Sequence, residues 1–537
     1  MIKKMNKSFF SIIFFWGFIV LIQILLGESS IHEYKVFEYL YASENNSYNS
    51  KAMEHYLEGV IYDMKEEYSS AILEYQDAVR YDPNVPIFYL SMAEDYYYLR
   101  KDEPAMSMYE KYLQLKPDDY DAGRTLLTRL YLPRGEYQKA EKLIESMLKN
   151  IGQITSLKLL LSDLYLRNNE IEKAILNSSY YLSNSTINPN VYEQIANSFI
   201  KTKHTDIGIA VFEKFLDKFK DNDKLYYGLG LLYLAKKDTS RAIELYENGT
   251  KLSIDTRYIK DELCDLYLDM NYMEKAKALF DEVGLESKIK IADAYFYAGK
   301  DEEAEGMFNR IKDENEDISF LYFRLGEIKY SNKKYQESVE NFLKAVVIDS
   351  TKPEMHFRLA LSYFRLKDYN HALVYVDKGL GLTPEEIRFL NLKADIIYNL
   401  GDFHETEMIY DKIFKIDPEY DLALNNYSYV LAERGEKLDK ALEMSKRALK
   451  KKPRNGSYLD TMGWIFYKLN RYEEALKYMK EAVDVTEKDS DPHPVILEHL
   501  GDIYLKLGDI NNAEYYWKRA LEFDKDNKNL LKKIEGK

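Results

Sequence analysis

The sequence has 537 residues, 46% of them hydrophobic, and a net charge of −15 from 75 lysines and arginines against 90 aspartates and glutamates. This apolar content is enough for a packed core, which excludes a chain that is disordered throughout. The acidic balance, with no arginine-rich run, argues against a protein that binds the phosphate backbone of nucleic acids.

Residue types that carry chemistry are sparse. Cys264 is the only cysteine and the eight histidines are scattered, so we expect no intramolecular disulfide and no metal site. The sequence contains no glycine-rich phosphate loop, no HExxH and no GxSxG motif. We therefore expect a protein that is not an enzyme and that uses no cofactor.

Residues 1–29 have the pattern of an export segment, in which three lysines precede an uncharged apolar run over residues 9–26. A cleaved signal peptide usually has a shorter apolar core, whereas a membrane span needs about 20 residues, so both a signal peptide and a single anchor stay open. In either case we expect the remainder in the periplasm, or anchored to the cytoplasmic membrane on its periplasmic side. Residues 30–51, which end in asparagines and serines, are predicted to form a linker.

Residues 52–528 repeat one pattern of two amphipathic helices. In LDTMGWIFYKLNRYEEALKYMKEAV, residues 459–483, the small Gly463 lies in the first helix and Ala475 in the second. Small residues at these positions let the helix axes approach closely. The first-helix position recurs at Gly59, Ala93, Thr128, Ser162, Ala196, Gly230, Cys264, Ala292, Gly326, Ala360, Ala394, Ser428, Gly463 and Gly501. The second-helix position recurs at Ala71, Ala105, Ala140, Ala174, Gly208, Ala242, Ala276, Ala304, Ser338, Ala372, Thr406, Ala441, Ala475 and Ala513.

Helices this short are marginal alone and gain their stability by stacking on neighbours. The pattern therefore predicts an all-α fold, a right-handed superhelical α-solenoid of about 14 helix pairs. From Cys264 to Ala292 the spacing shortens, so we expect a truncated second helix, a hinge near Gly284, and seven repeats on each side, in residues 52–284 and 285–528. A polar insertion lengthens the last interval at residues 486–494, and residues 529–537 are predicted to be a capping helix or a tail.

This skeleton resembles the tetratricopeptide repeat, a helix–turn–helix unit of about 34 residues. Residues 422–520 are similar to the carboxyl-terminal repeats of exported bacterial tetratricopeptide-repeat proteins. These include the lipoprotein adaptor of a periplasmic carboxyl-terminal processing protease. The resemblance implies a scaffold without catalysis, with an envelope protease or its substrates as partners, although this chain lacks the cysteine that would carry the lipid.

First helices line the concave side of such a stack, and we expect a binding groove there. Aromatic rings with carboxylates and amides suit an extended or helical peptide that brings basic side chains. The same rings are also common packing elements of the repeat. Trp464 is the preferred residue, because a tryptophan at an open position needs a cover, and we expect Trp464→Ala to weaken partner binding with little change in stability. The predicted partner-binding residues are Asp293, Glu327, Tyr330, Asp395, Tyr398, Asn425, Asp460, Trp464, Tyr467, Glu498 and Asp502.

Together these features predict a non-catalytic scaffold or adaptor in the bacterial cell envelope, which holds a protein or peptide in its groove. The alternative is a structural component of envelope or secretion machinery that associates with its own copies. The sequence leaves the oligomeric state open, and it predicts membrane contact only through residues 1–29.

Overall fold

A computed structural model describes residues 49–253, 255–488, 494–523, 525 and 527–536. These residues form helices joined by short turns, with no strand among them, so the fold is all-α as predicted. The predicted export segment 1–29, the linker up to residue 48 and the centre of the inserted loop, residues 489–493, lie outside the described residues. In the described part of the chain, no helix combines the length and apolar character needed to span a membrane.

The chain divides into two compact units, Met1–Gly284 and Leu285–Lys537, and each is a stack of helix pairs. The described helix pairs of the first unit are Ser50–Met64 with Tyr68–Tyr81, Pro86–Tyr98 with Asp102–Leu115, Tyr120–Arg134 with Tyr137–Ile151, Thr155–Arg167 with Ile171–Leu182, Pro189–Lys201 with Thr205–Lys218, Asp223–Ala235 with Thr239–Gly249, and Arg257–Asp269 with Met273–Ala278.

The described pairs of the second unit are Leu285–Tyr297 with Asp301–Glu314, Ser319–Ser331 with Tyr335–Ile348, Pro353–Arg365 with Tyr369–Leu382, Ile387–Leu400 with Phe403–Ile416, Asp421–Arg434 with Leu438–Lys451, Gly456–Lys468 with Tyr472–Lys488, and Pro494–Lys506 with Ile510–Phe523. A last helix, Lys528–Glu535, follows them and buries Leu530 completely.

In the twelfth pair both Gly435 and Lys437 are left-handed, and in every described pair one left-handed residue closes the first helix at the turn. The amide after it bonds back to the first helix, as when Lys101 N donates to Tyr96 O at 2.9 Å, which satisfies a carbonyl left over at the helix end. These turn residues are Glu66, Arg100, Gly135, Asn169, Lys203, Lys237, Asn271, Gly299, Lys333, Lys367, Gly401, Gly435, Asn470 and Gly508. They recur with the period predicted from the small residues, so the backbone and the side chains report the same fourteen repeats.

The first helix of the third repeat departs from this regularity. It runs as Tyr120–Thr125, widens into a π-helical turn over Leu126–Tyr131 and closes as Leu132–Arg134. Proline has no N–H for the ordinary helical bond, and Pro133 is the second residue after the widened turn. Thr128, expected to pack in the interface, is therefore wrong as a phase marker, because the widened turn leaves it exposed while Gly123 approaches Met147.

The second helix of the seventh repeat is short, as the spacing predicts. It ends at Ala278, and the amide of Gly284 then donates to Asp261 Oδ1 at 2.7 Å. The boundary between the two compact units falls directly after this glycine. Motion of a hinge at Gly284 stays a prediction.

Where the small residue of the first helix is a glycine, a side chain from the second helix lies directly over it. A Cβ added to Gly326 would lie 2.6 Å from the ring of Phe342, and one added to Gly230 would lie 2.0 Å from the ring of Tyr246. Both rings are fully buried. The residue at this position must be small because the ring fills the space that a larger side chain would occupy.

We predict that Gly326→Ala lowers the free energy of unfolding by about 1–3 kcal/mol, because its Cβ overpacks against Phe342. Gly306→Ala is the matched control, since Gly306 lies exposed within helix Asp301–Glu314 and an added Cβ would meet nothing within 4 Å. That control should gain roughly 0.5–1 kcal/mol from helix propensity. Urea denaturation followed by circular dichroism measures both, and equal effects would contradict the packing argument.

Candidate functional site

Successive first helices of the second unit touch through a recurrent pair of side chains, here called a rung. One member directly follows the small residue of a first helix, and the other lies two residues before the small residue of the next first helix. Most pairs are 31 residues apart, and the inserted loop lengthens one interval. The rungs with a described contact are Asp293–Arg324, Glu327–Arg358, Asp395–Asn426 and Trp464–His499, and Asp502–Lys533 is the equivalent pair with the last helix.

The first two rungs are ion pairs, and Arg324 links them because it binds the carboxylates of both. Arg324 donates from Nε to Asp293 at 2.8 Å and from Nη1 to Glu327 at 2.7 Å, and Arg358 Nη2 approaches Glu327 at 3.3 Å. Burial raises the pKa of Asp293 more than the attraction of Arg324 lowers it, so desolvation outweighs the ion pair. The carboxylates predicted to receive a partner's basic groups are already bound by the chain's own arginines.

The last rung is closed by the final helix. Lys533 Nζ donates to Glu498 at 2.7 Å and to both carboxylate oxygens of Asp502, at 2.8 and 2.7 Å. The indole N–H of Trp517 also donates to Asp502, at 2.9 Å. Glu498 and Asp502 therefore face an internal cation rather than an open groove.

Trp464 is covered by the chain itself. Its ring stacks on His499 with centroids 3.9 Å apart and on Tyr467 at 4.6 Å, and its indole N–H donates to Glu433. Trp464 is only 7% exposed, so the expectation that it lies at an open position is wrong. Trp464 is buried because the next first helix, Pro494–Lys506, places His499 against the face of the indole ring.

Several carboxylates surround His499. Its Nδ1 lies 2.8 Å from Oδ1 of the buried Asp460. Burial by itself lowers the pKa of His499, but Asp460, aided by Asp502 and Glu433, outweighs it, so the pKa is raised above its ordinary value. This cluster joins three repeats and leaves Asp460, a predicted binding residue, without an exposed carboxylate.

The rung at Asp395 is different, because its partners are all neutral. Asp395 accepts hydrogen bonds from Tyr410 OH at 3.1 Å, from Asn426 Nδ2 at 3.1 and 3.3 Å, and weakly from Asn391 Nδ2 at 3.4 Å. Burial raises the pKa of Asp395 to about 7, with Tyr410 and Asn426 opposing it. Among the described residues no lysine or arginine pairs with this carboxylate.

Two amides beside Asp395 carry unpaired acceptors. Asn391 and Asn425 are 5% and 6% exposed, and within the described chain neither Oδ1 receives a hydrogen bond. Asn425 Nδ2 contacts Asn426 Oδ1 at 3.3 Å, which ties it to the same rung. Tyr398 and Tyr429 are half-buried on the same two first helices, as are the predicted groove residues Tyr330 and Tyr467 in other repeats. The predicted carboxylates and amides thus divide into self-paired carboxylates and one polar site without a cation.

One group of possible metal ligands lies elsewhere. His55, Glu58 and Glu74 bring ligand atoms within 4.8 Å of one another, and His55 Nδ1 already lies 2.8 Å from Glu74. Glu58 is exposed and His55 half-buried. Exposed acidic residues are often close together in proteins without binding a metal. The absence of a metal site therefore stays a prediction.

Stacked helix pairs with a small-residue interface and a left-handed turn define a helical repeat protein of the solenoid class. The family models described as "TPR repeat" and "Tetratricopeptide repeat" match the chain at residues 194–250, 326–367, 353–386, 456–488 and 496–527. The chain is a tetratricopeptide-repeat protein. Such repeats imply a scaffold for interactions between proteins.

Two curated relatives show how broad this family is. The BBSome complex member BBS4 of Bos taurus is 23% identical over 276 residues, which cover 50% of this chain and 50% of that protein. The TPR repeat-containing protein YpiA of Bacillus subtilis is 21% identical over 388 residues, covering 64% of this chain and 89% of that protein. This chain spans half or less of the length of the first three curated relatives it matches.

Among solved structures, a tetratricopeptide repeat protein from Parabacteroides merdae is similar, with 16% identity and a TM-score of 0.41, covering 47% of this chain and 97% of that one. The resemblance to an adaptor of a periplasmic protease stays a prediction.

We predict that Trp464→Ala lowers the free energy of unfolding by about 3–5 kcal/mol, because it removes a buried ring stacked between His499 and Tyr467. Urea denaturation read by the fluorescence of Trp517 gives the change. An unchanged stability would restore Trp464 as an open groove residue.

The raised pKa of His499 predicts a stability that falls as pH rises. The protonated ring paired with Asp460 stabilises the fold fully below the ordinary histidine pKa of about 6.5. This contribution is lost as pH rises through the raised folded-state pKa, so the second unit should be more stable at about pH 6 than at about pH 8. His499→Gln should reduce this dependence, whereas His404→Gln, at an exposed site, should keep it. Denaturation curves at the two pH values decide the matter.

Proposed function

We propose that this protein is a non-catalytic scaffold that binds a polypeptide along the first helices of its second unit. The observation that carries the proposal is the half-buried row of Tyr398, Tyr429 and Tyr467 beside polar groups on three successive first helices. Aromatic rings of this kind supply contact area at small conformational cost, and the neighbouring amides and carboxylates supply hydrogen bonds to a peptide.

The self-paired carboxylates narrow where a partner binds. Breaking a pair such as Arg324–Asp293, in which both side chains are largely buried, would leave a charge without its partner, which opposes binding there. In the groove of the eleventh to thirteenth repeats, Asp395 forms no such ion pair within the described residues. We therefore propose that the partner binds at residues 387–467. No side-chain arrangement in the described residues motivates a catalytic role for this surface.

The location is part of the proposal. The lysines and apolar run of residues 1–29 support export, which would place the repeats on the periplasmic side of a bacterial cytoplasmic membrane, either released or anchored. The resemblance of residues 422–520 to exported adaptors supports a partner in the cell envelope, such as a protease or one of its substrates.

Self-association is the second candidate, and one observation favours it. Second helices of the ninth and tenth repeats line a cavity of about 710 Å³ with Leu343, Val347 and Leu382, of which Val347 is 78% exposed. Exposed apolar side chains that lie together mark interaction surfaces. These three apolar residues lie on second helices, whereas the tyrosine row lies on the first helices of later repeats.

Site-specific photo-crosslinking tests the scaffold proposal. A photoreactive phenylalanine at Tyr398 or at Tyr467 should capture the same polypeptide in living cells, because both positions belong to one half-buried row. Met408 is the control, since it is 59% exposed on the second helix Phe403–Ile416 of the same repeat as Tyr398. Mass spectrometry identifies the adduct.

Three outcomes would contradict the scaffold proposal. An adduct from Met408 alone places the interaction on the second helices, and an adduct made only of this chain favours self-association. No adduct from either tyrosine position removes the support for a groove. Fractionation of the same cells tests the location, which a purely cytoplasmic chain would contradict.

A further inference from the structure

The rungs of the second unit show what the chain does with carboxylates on its first helices. Asp293 and Glu327 receive arginines, and Asp502 receives a lysine, each from the first helix of the following repeat or from the last helix. At the equivalent place opposite Asp395 the chain has Asn426. Opposite the carboxylates Asp293, Glu327 and Asp502 this position supplies a cation, whereas opposite Asp395 it supplies a neutral amide.

The missing cation leaves acceptors in excess. The carboxylate of Asp395 meets only neutral donors, and the Oδ1 atoms of Asn391 and Asn425, both more than nine-tenths buried, receive none in the described chain. Amide donors of Asn391 and Asn426 already face the carboxylate, which fixes these side chains beside it. Buried acceptors without donors are unfavourable, and a ligand that brings donors and positive charge would relieve them.

We propose that Asp395, Asn391 and Asn425 bind a cationic side chain, lysine or arginine, of the polypeptide that occupies the groove. The inference deepens the proposed function and rests on it. The bound cation supplies to Asp395 the positive charge that Arg358 supplies to Glu327 and Lys533 supplies to Asp502. Asn426 keeps its own hydrogen bonds to the same carboxylate. A charge-assisted hydrogen bond to Asp395 supplies attraction, and the two amide oxygens accept remaining N–H groups.

The surroundings fit a basic side chain with a long alkyl stem. Tyr398 lies about one helical turn after Asp395, and Tyr429 about one turn after Asn426, so each ring shares a face with the rung. The two tyrosines are close enough that Tyr398 raises the pKa of Tyr429, behind the larger effects of burial and of Glu433 and Asp460. Aromatic faces stabilise both methylene stems and the cations they carry.

The test uses the full chain and short peptide libraries that are random except at one fixed position. The fixed residue is lysine, arginine or the neutral analogues norleucine and citrulline. Wild-type protein should retain the lysine or the arginine library roughly tenfold or more above its neutral analogue, because charge-assisted hydrogen bonds discriminate on that scale. Comparison of the two cationic libraries shows which head group the site takes.

Two variants locate this preference. Asp395→Asn removes the charge, and Asn426→Arg lets the chain fill its own rung as Arg358 does, so both should reduce the preference to within about twofold. Asp377→Asn is the matched control, because Asp377 pairs with Lys393 on the exposed side of a second helix, and it should keep the preference. Asn341→Arg adds the same charge on another second helix and should also keep it.

The outcomes separate the inference from the function on which it rests. Retention of all libraries without a cation preference, or a preference that survives in both Asp395→Asn and Asn426→Arg, overturns the cation site and leaves the peptide scaffold standing. Failure to retain any library, together with no crosslinked partner at Tyr398, overturns both. Circular dichroism shows that each variant is folded. The two variants alter different residues, one by removing a negative charge and the other by adding a positive one, so a folding defect in one leaves the other decisive.

Discussion

The close approach of the two helices inside each repeat is the constraint on which the structure depends. A ring from the second helix occupies the place of a Cβ on the first, as Phe342 does at Gly326 and Tyr246 does at Gly230. The short distance between axes leaves room only for a tight turn, and one left-handed residue closes each first helix. Because the repeats of the second unit share this geometry, their successive first helices meet at equivalent positions, and the rungs follow from that register.

The rungs make the groove a mostly self-paired surface. Arg324 binds one carboxylate on each of two first helices, and Lys533 binds two carboxylates on a single first helix. His499 contacts both Asp460 and the ring of Trp464. These contacts hold neighbouring repeats together. They also pair most of the predicted groove carboxylates with groups of the same chain, so that few are left for a partner. Asp395 is the exception, because its described hydrogen-bond partners are all neutral and burial raises its pKa.

Sequence reasoning located the repeats well because their signal is local. A small residue recurs wherever two helices must touch, and its spacing also marked the short helix before Gly284. It failed at Thr128, where a π-helical turn shifts the register by a geometry that residue type alone does not indicate. The arginine rungs were also missed, although acidic and basic residues separated by 31 positions, as in Asp293 and Arg324, would have indicated them.

The sequence by itself therefore determined the fold, the phase of the repeats and which residues line the first helices, because each depends on contacts between residues close in the chain. Only the tertiary structure decided which of those residues are covered. Trp464 has an open position by phase, yet His499, brought against it by the following repeat, buries it. Pairing and burial depend on what the neighbouring repeat presents, and that is a property of the stack rather than of the single repeat.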